Sequence, residues 1–444
     1  MKYLSFSACL CILYAFSGCK IDTNNATLTR HTLMDGADSK MWASYEDDIR
    51  TTKKPKRTLS GNANTSFFGR DSLLAQSDLA LESELHNNSD FSNQAHENLK
   101  KAHKAHKQEL MKLSGNISKN WGESEFEVSD TSKLVKYSDH YLSRSSIDFT
   151  SGKIRVETID TSNPTNALEN AITKALLTPK DPRGMDLYSD SEVKFDGKPF
   201  LAGLIKDNEG QDILYEWRAK RYAQYLVQNK LQTRTDSSGH KVYYVDLQMS
   251  DDYQKLAGNS YQAIAQRYAK EFGLDPALVM AIIHTESNFN PYAMSHVPAY
   301  GLMQIVPSTA GADSHKLITG NAGVPTKTML FTPETNIRYG SAYLYILFTR
   351  YLQGINDPKS QEYCVIAAYN TGSGNVLRAF HSDRKQAISV INSLSSDQVY
   401  KRLTTKLSQD EARRYVQKVT NFKRQYFSEE ARPVKYLQSN LQSR

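Results

Sequence analysis

The sequence predicts an α+β protein in which a smaller mixed α/β domain precedes a mostly α-helical C-terminal domain. Three observations carry this. From about residue 114 to 248, short stretches with apolar residues at every second position alternate with helical spacing; beyond residue 250 the spacing is helical almost throughout. The length of 444 residues leaves room for two hydrophobic cores.

Residues 1–18 begin Met1-Lys2 and continue in an apolar run to Phe16, too short to cross a bilayer and shaped as a secretory signal. Residues 19–94 are polar, rich in Asn, Ser, Thr, Asp and Lys, and lack sustained periodicity, which predicts a flexible tether. A Lys-rich helix opens the α/β domain, residues 95–248; its His96, His103 and His106 are read as a solvated face, not a metal site. Ile147, Phe149, Ile154 and Val156 alternate around Thr150-Ser151-Gly152-Lys153, a hairpin signal. Pro164 opens a helix with Leu168, Ala171, Ile172 and Ala175 at helical spacing. A second helix runs from about Leu214 to Lys230, and Tyr243, Val245, Leu247 and Met249 alternate again.

In the helical domain, residues 249–432, Ile264, Ala265, Tyr268 and Ala269 share one face of a helix that stops at Gly273. Thr332-Pro333 opens a long apolar helix through Leu352, Pro358 precedes another that holds Cys364, and Arg413 to Arg424 forms the last. Residues 433–444 read as a loose tail.

One carboxylate in this domain is out of place. Asp275 suits an N-cap and Pro276 a first helical position, so a helix starts there. Counting back from Glu286, Ile283, Ile282, Val279 and Leu278 lie three, four, seven and eight places earlier, on the stripe a helix buries. Apolar neighbours and the carbonyl end of the helix both disfavour the ionised form and raise a carboxyl pKa, which suits a general acid. From this helix alone, a Glu swung into water or paired with Arg or Lys is an equal alternative.

Downstream the chain reads Glu286-Ser287-Asn288-Phe289-Asn290-Pro291, then Gly301-Leu302-Met303-Gln304-Ile305, Ala368-Tyr369-Asn370-Thr371-Gly372 and Arg413-Arg414-Tyr415-Val416. This ordered set resembles the lytic transglycosylases of the soluble-lytic-transglycosylase, goose-lysozyme-like family. The likeness is closest to the membrane-bound lytic murein transglycosylase C branch and extends upstream to Asn120-Trp121-Gly122 and Asp186-Leu187-Tyr188-Ser189-Asp190. It covers roughly residues 95–430. Departures are modest: Tyr300 stands where a smaller residue is usual, and Thr371-Gly372-Ser373-Gly374 replaces a more glycine- and alanine-rich run.

The resemblance implies a lysozyme-like catalytic domain and a reaction. Glu286 would protonate the oxygen between N-acetylmuramic acid and N-acetylglucosamine. Its conjugate base would then take the proton of the muramyl C6 hydroxyl, which closes on C1 to give a 1,6-anhydro sugar without consuming water. By the same resemblance Gln304 would bind the N-acetyl group or sugar hydroxyls, and Ser295 would bond near the reacting sugar. Tyr369 and Tyr415 would line the cleft and hydrogen-bond the catalytic Glu286. Asn370 and Met303 complete the candidate substrate-binding set, Asn370 as a loop former and Met303 packing on a ring. Turn stabilisation, capping and core packing are the alternatives for each of these.

Ordinary glycosidases use two carboxylates, yet none lies between Ser287 and Ala312. Asp313, Glu334, Asp357 and Glu362 sit in polar surroundings that suit caps or solvated faces. An intramolecular nucleophile needs no second acid to activate water, so the gap agrees with lyase chemistry. No cofactor and no metal is expected. Hydrolytic muramidase and non-catalytic wall-binding lipoprotein are the alternatives.

The signal ends Phe16-Ser17-Gly18-Cys19, which resembles a bacterial lipoprotein processing site with Cys19 as the acylated residue. Lys20 after it suggests, by analogy, outer-membrane sorting, with the enzyme anchored on the periplasmic face. Of the four cysteines, Cys9 and Cys11 leave with the signal, Cys19 carries lipid, and Cys364 remains in an apolar stretch as a buried thiol. A net charge of +7 could mean nucleic acid, but the basic residues are dispersed and a secretory signal removes the chain from the cytoplasm. Peptidoglycan strands and outer-membrane lipid are the expected partners.

Overall fold

The computed structural model describes residues 70–87, 93–195 and 197–426, all within one compact unit spanning residues 65–444. The signal segment, Cys19 and the C-terminal tail lie outside the described residues.

Helix α1 (Arg70–Asn87) falls inside the stretch expected as a tether, so that expectation fails over residues 70–87. Its Ala80, Leu81 and Leu85 pack with Leu99, Val297, Ala299 and Val306. Ser77 is fully buried; its hydroxyl donates to the His296 carbonyl at 3.0 Å and lies 2.9 Å from His103 Nε2. Polar and apolar side chains are spread around α1 almost without bias, so no periodicity announces it.

Helix α2 (Asn93–Trp121) buries Leu99, Leu110, Leu113, Ile117 and Trp121 along one face. His103 and His106 are buried there too, which corrects the solvated-face reading. His106 Nδ1 lies 2.9 Å from the Tyr188 hydroxyl, and burial pushes its pKa down to about 4. Long side chains flanking each histidine make the helix look wet in sequence, although a third of it faces protein.

Five strands follow: β1 (Lys133–Ser138), β2 (Ser143–Asp148), β3 (Lys153–Thr158), β4 (Gln232–Thr235) and β5 (Lys241–Gln248). They form one antiparallel sheet in the order β1-β2-β3-β5-β4, with Ile147 opposite Ile154 and Val156 opposite Val245. Strand β1 escapes periodicity because Lys136 is buried with its apolar neighbours, its Nζ donating to the carbonyls of Asp186 and Ser189. Helices α3 (Pro164–Leu176) and α4 (Glu216–Lys230) pack together, α3 lying on β2 and β3. Behind the sheet the buried Arg144 guanidinium bonds Glu157 at 2.7 Å and Glu125 at 3.1 Å and stacks 4.4 Å from the Trp121 ring centre.

The helical part comprises α5 (Tyr253–Phe272), α6 (Pro276–Ser287), α7 (Ala312–Thr319), α8 (Lys327–Leu330), α9 (Pro333–Ile346), α10 (Pro358–Thr371), α11 (Ser373–Arg378), α12 (Arg384–Ser393), α13 (Ser396–Lys406) and α14 (Asp410–Tyr426). Gly273 ends α5 in the left-handed region, as its position suggests. Helix α6 lies against α5 and α14, and α10 packs on α11, α13 and α14. One apolar core runs from Ile147, Ile154 and Leu168 through Leu278 and Ile282 to Val416 and Val419. Cys364 on α10 lies in it, fully buried.

Candidate active site

Asp275 caps α6 by accepting the Ala277 N–H at 2.8 Å. The helix ends at Ser287, before Pro291, because Asn288 and Phe289 both take left-handed backbone, φ 48° and 64°. The chain therefore turns back at once and buries the Phe289 ring 4.8 Å from that of His284. The Ser287 hydroxyl is shared by the carbonyls of Ile283 and Leu302, each at 2.9 Å, so the helix end is tied to the Gly-Leu-Met-Gln turn.

Glu286 is partly buried between these pieces. Its Oε1 accepts the Tyr415 hydroxyl of α14 at 2.6 Å. Burial raises its pKa from 4.5 to about 8; the Tyr415 bond opposes the rise, and the charges of Glu411 and Glu84 add to it. At neutral pH the carboxyl keeps its proton.

The turn after it is built on a buried amide. Asn336, fully buried on α9, donates to the Tyr300 carbonyl at 2.7 Å and the Leu330 carbonyl at 2.8 Å, and accepts the Met303 N–H at 2.7 Å. Gly301, φ 75°, allows this closeness: a Cβ there would stand 2.5 Å from the Leu330 carbonyl. Gln304, φ 47°, turns its Nε2 back onto the Gly301 carbonyl at 2.8 Å, while its Oε1 is buried without a partner.

Two assignments change. Met303 is completely buried beneath Gly340, where an added Cβ would lie 2.3 Å from its sulfur, so its side chain is core and out of reach of a sugar. Tyr369 does not bond Glu286; its hydroxyl donates to the Met303 carbonyl at 2.9 Å and its ring meets Tyr343 edge-on at 5.7 Å. Ser295 is partly exposed and donates its hydroxyl to the Val297 carbonyl. Asn370 is partly exposed in the last turn of α10.

The four acids outside the motifs have structural partners. Asp313 accepts from the Tyr351 hydroxyl at 2.7 Å, Glu334 pairs with Arg267, Asp357 caps α10, and Glu362 pairs with Lys423 at 2.7 Å. Sequence reasoning missed Asn336, whose surroundings in α9 carry no signal, and it missed Glu84 altogether. Helix α1 bridges the two sides of the site: Leu81 and Leu85 meet Val297, Ala299 and Val306, while the Ser83 hydroxyl accepts from Gln409, just before α14, at 2.7 Å.

A protonated glutamic acid at a helix end, backed by a tyrosine and a glycine-dependent turn, stands here in a chain that matches the transglycosylase SLT domain over residues 263–392. The protein is a peptidoglycan lytic transglycosylase, a lyase. Residues 98–260 match the N-terminal domain of membrane-bound lytic murein transglycosylase C. Proteins of that name from Yersinia pestis (strain Pestoides F) and Yersinia pseudotuberculosis (strain IP 31758) are each 44% identical over 312 residues, covering 70% of this chain and 87% of theirs. The chain belongs to the membrane-bound lytic murein transglycosylase C family.

Among solved structures, an inactive Glu-to-Gln variant of the lytic transglycosylase Slt from Pseudomonas aeruginosa is 31% identical, with a TM-score of 0.29. The 70-kDa soluble lytic transglycosylase of Escherichia coli is 27% identical, also with a TM-score of 0.29. Each covers 37% of this chain, which spans 23% of either solved chain.

Proposed function

We propose that Glu286 is the single acid and base of a non-hydrolytic cleavage between N-acetylmuramic acid and N-acetylglucosamine. The observation that carries the proposal is a carboxyl held protonated by burial, pKa about 8, with one oxygen fixed by Tyr415. Oε2 then carries the exchangeable proton. It passes to the glycosidic oxygen as the C1–O bond breaks, and the carboxylate so formed accepts the proton of the muramyl C6 hydroxyl as O6 bonds to C1. The proton is returned, no water is consumed, and the product is a 1,6-anhydromuramyl end.

The other groups act around that exchange. The unpartnered Gln304 Oε1 is an acceptor for an N-acetyl N–H. Ser295 and Asn370 line the approach with partly exposed polar groups. Tyr415 positions the acid directly, and Tyr369 fixes the Met303 carbonyl in the turn that carries Gln304. Residues 95–248 position the catalytic residues 249–432, and acylated Cys19 holds the enzyme on the periplasmic face of the outer membrane. Among the described residues no helix is long and apolar enough to cross a membrane. "Membrane-bound" in the relatives' name supports an anchor.

The nearby charges of Glu84 and Glu411 favour one other reading, hydrolysis with a second carboxylate activating water. Mass spectrometry of products from purified peptidoglycan separates the two. Anhydromuramyl ends are expected; reducing ends would assign a muramidase. Glu286→Gln should remove nearly all turnover, and normal cleavage by that variant would overturn the assignment of the acid.

A further inference from the structure

A cavity of about 200 Å³ opens between α5 and the segment around residues 198–204, away from Glu286. Lys180, Lys198, Ser260 and Tyr261 are among its lining residues. Backbone pairing brings the two lysines together, the Lys180 N–H donating to the Lys198 carbonyl at 3.0 Å. Among the described residues, no carboxylate lies within ion-pair distance of either ammonium group. Lys180 Nζ stands 5.5 Å from the centre of the Tyr261 ring, and burial, then the charge of Lys198, lowers its pKa. Tyr261 is 2% exposed and its hydroxyl has no hydrogen-bond partner.

A phenol buried without a partner is unfavourable unless a polar group enters the cavity, and the half-buried Lys180 with the exposed Lys198 at the rim favours a negative one. We propose that this cavity binds a carboxylate of the peptide stem carried by the glycan strand. The proposal rests on peptidoglycan being the substrate, and not on the role of Glu286. The Tyr261 ring stacks on Phe289 at 6.5 Å and 13°, three residues beyond Glu286, so an occupied cavity braces the segment that holds the acid.

The test uses the full chain carrying Glu286→Gln, titrated calorimetrically with the free stem tetrapeptide and, separately, with inorganic phosphate. The peptide should bind, and Lys180→Met with Lys198→Met should weaken it about tenfold, the factor for one charge-assisted hydrogen bond. Lys180→Arg with Lys198→Arg keeps the charge and should keep the affinity. In the active enzyme, the ratio of kcat/KM for peptide-bearing over peptide-free strands should fall about tenfold in the double Met variant. Equal peptide affinity with and without the lysines, or lysine-dependent binding of phosphate alone, would overturn the proposal. Residual cleavage by Glu286→Gln would sink only the acid assignment, leaving the ratio to be read.

A different observation carries a second inference: α1 is a strap across the cleft. It joins the side formed by Val297, Ala299 and Val306 to Gln409 and α11 on the other, and its Glu84 acts electrostatically on Glu286 beneath. It precedes the residues matched by the family's N-terminal model. Glycan then enters only when α1 lifts. In the full chain, Leu81→Asp with Leu85→Asp should raise turnover of insoluble peptidoglycan about tenfold and expose residues 70–87 to protease. Deleting residues 70–92 should give the same gain. Unchanged or lower turnover in both variants would instead make α1 a wall of the binding site.

Discussion

At the scale of the residue, the consequences of Glu286 follow from one displaced proton. In the proposed role of general acid, with a pKa near 8, it should give a kcat/KM that falls as pH rises through about 8, measured on soluble strands. Stability moves in the same direction. The folded chain keeps a proton that the unfolded chain has released, so this group's contribution weakens from pH 4.5 to about 8. Glu286→Gln should therefore melt above the parent near pH ~8, with the gap closing below pH ~4. Tyr415→Phe removes the hydrogen bond that opposes the rise, so the alkaline limb should move to higher pH while kcat falls. Glu286 and Tyr415 were legible in the sequence because each stands in a motif of fixed spacing. The partner of Tyr369 was not, since a tyrosine hydroxyl finds a backbone carbonyl as readily as a carboxylate, and only packing decides between them.

Elements that bury one clean face were legible, those that bury without a period were not. Helices α3, α4 and α6 and the hairpin β2–β3 follow their patterns to within a few residues, whereas α5 begins at Tyr253, eight residues before the Tyr261–Phe272 stretch that its spacing marks. Strand β1 hides behind its buried Lys136, and α1 hides behind an even distribution of polar and apolar groups. The organiser of the turn at residues 300–305 is invisible for another reason: Asn336 comes from α9, about three dozen residues later. Asn336→Ala strands two carbonyls and one N–H in a dry interior. It should destabilise the protein by at least about 3 kcal/mol in denaturant unfolding and lower activity more than a core Leu→Val change of similar cost.

Across the whole molecule, the two parts behave as one folded body. The Tyr253 hydroxyl donates to the Thr150 carbonyl at 2.7 Å, Met249 N–H to Gly152 at 2.9 Å, and Tyr188 bridges His106 and Met294. Composition shifts marked where one part ends, but they could not show that the apolar core continues across the junction. A fragment beginning at residue 249 should accordingly be poorly soluble and lack a cooperative thermal transition, as circular dichroism would show. The Arg144 cluster sits on the far side of the sheet and gives the α/β part its own buried anchor.

Cys364 bears on how such a molecule reaches its shape. Its thiol is fully buried and burial raises its pKa far out of the reactive range. Once it is folded in, no thiol among the described residues can be oxidised, exchanged or trapped by a neighbouring chain. Folding of the described residues then needs no oxidant and no disulfide isomerase. Refolding yield should be the same in reducing and oxidising buffer, so the speed of maturation is set by closing long-range contacts such as Glu286 to Tyr415, rather than by sulfur chemistry.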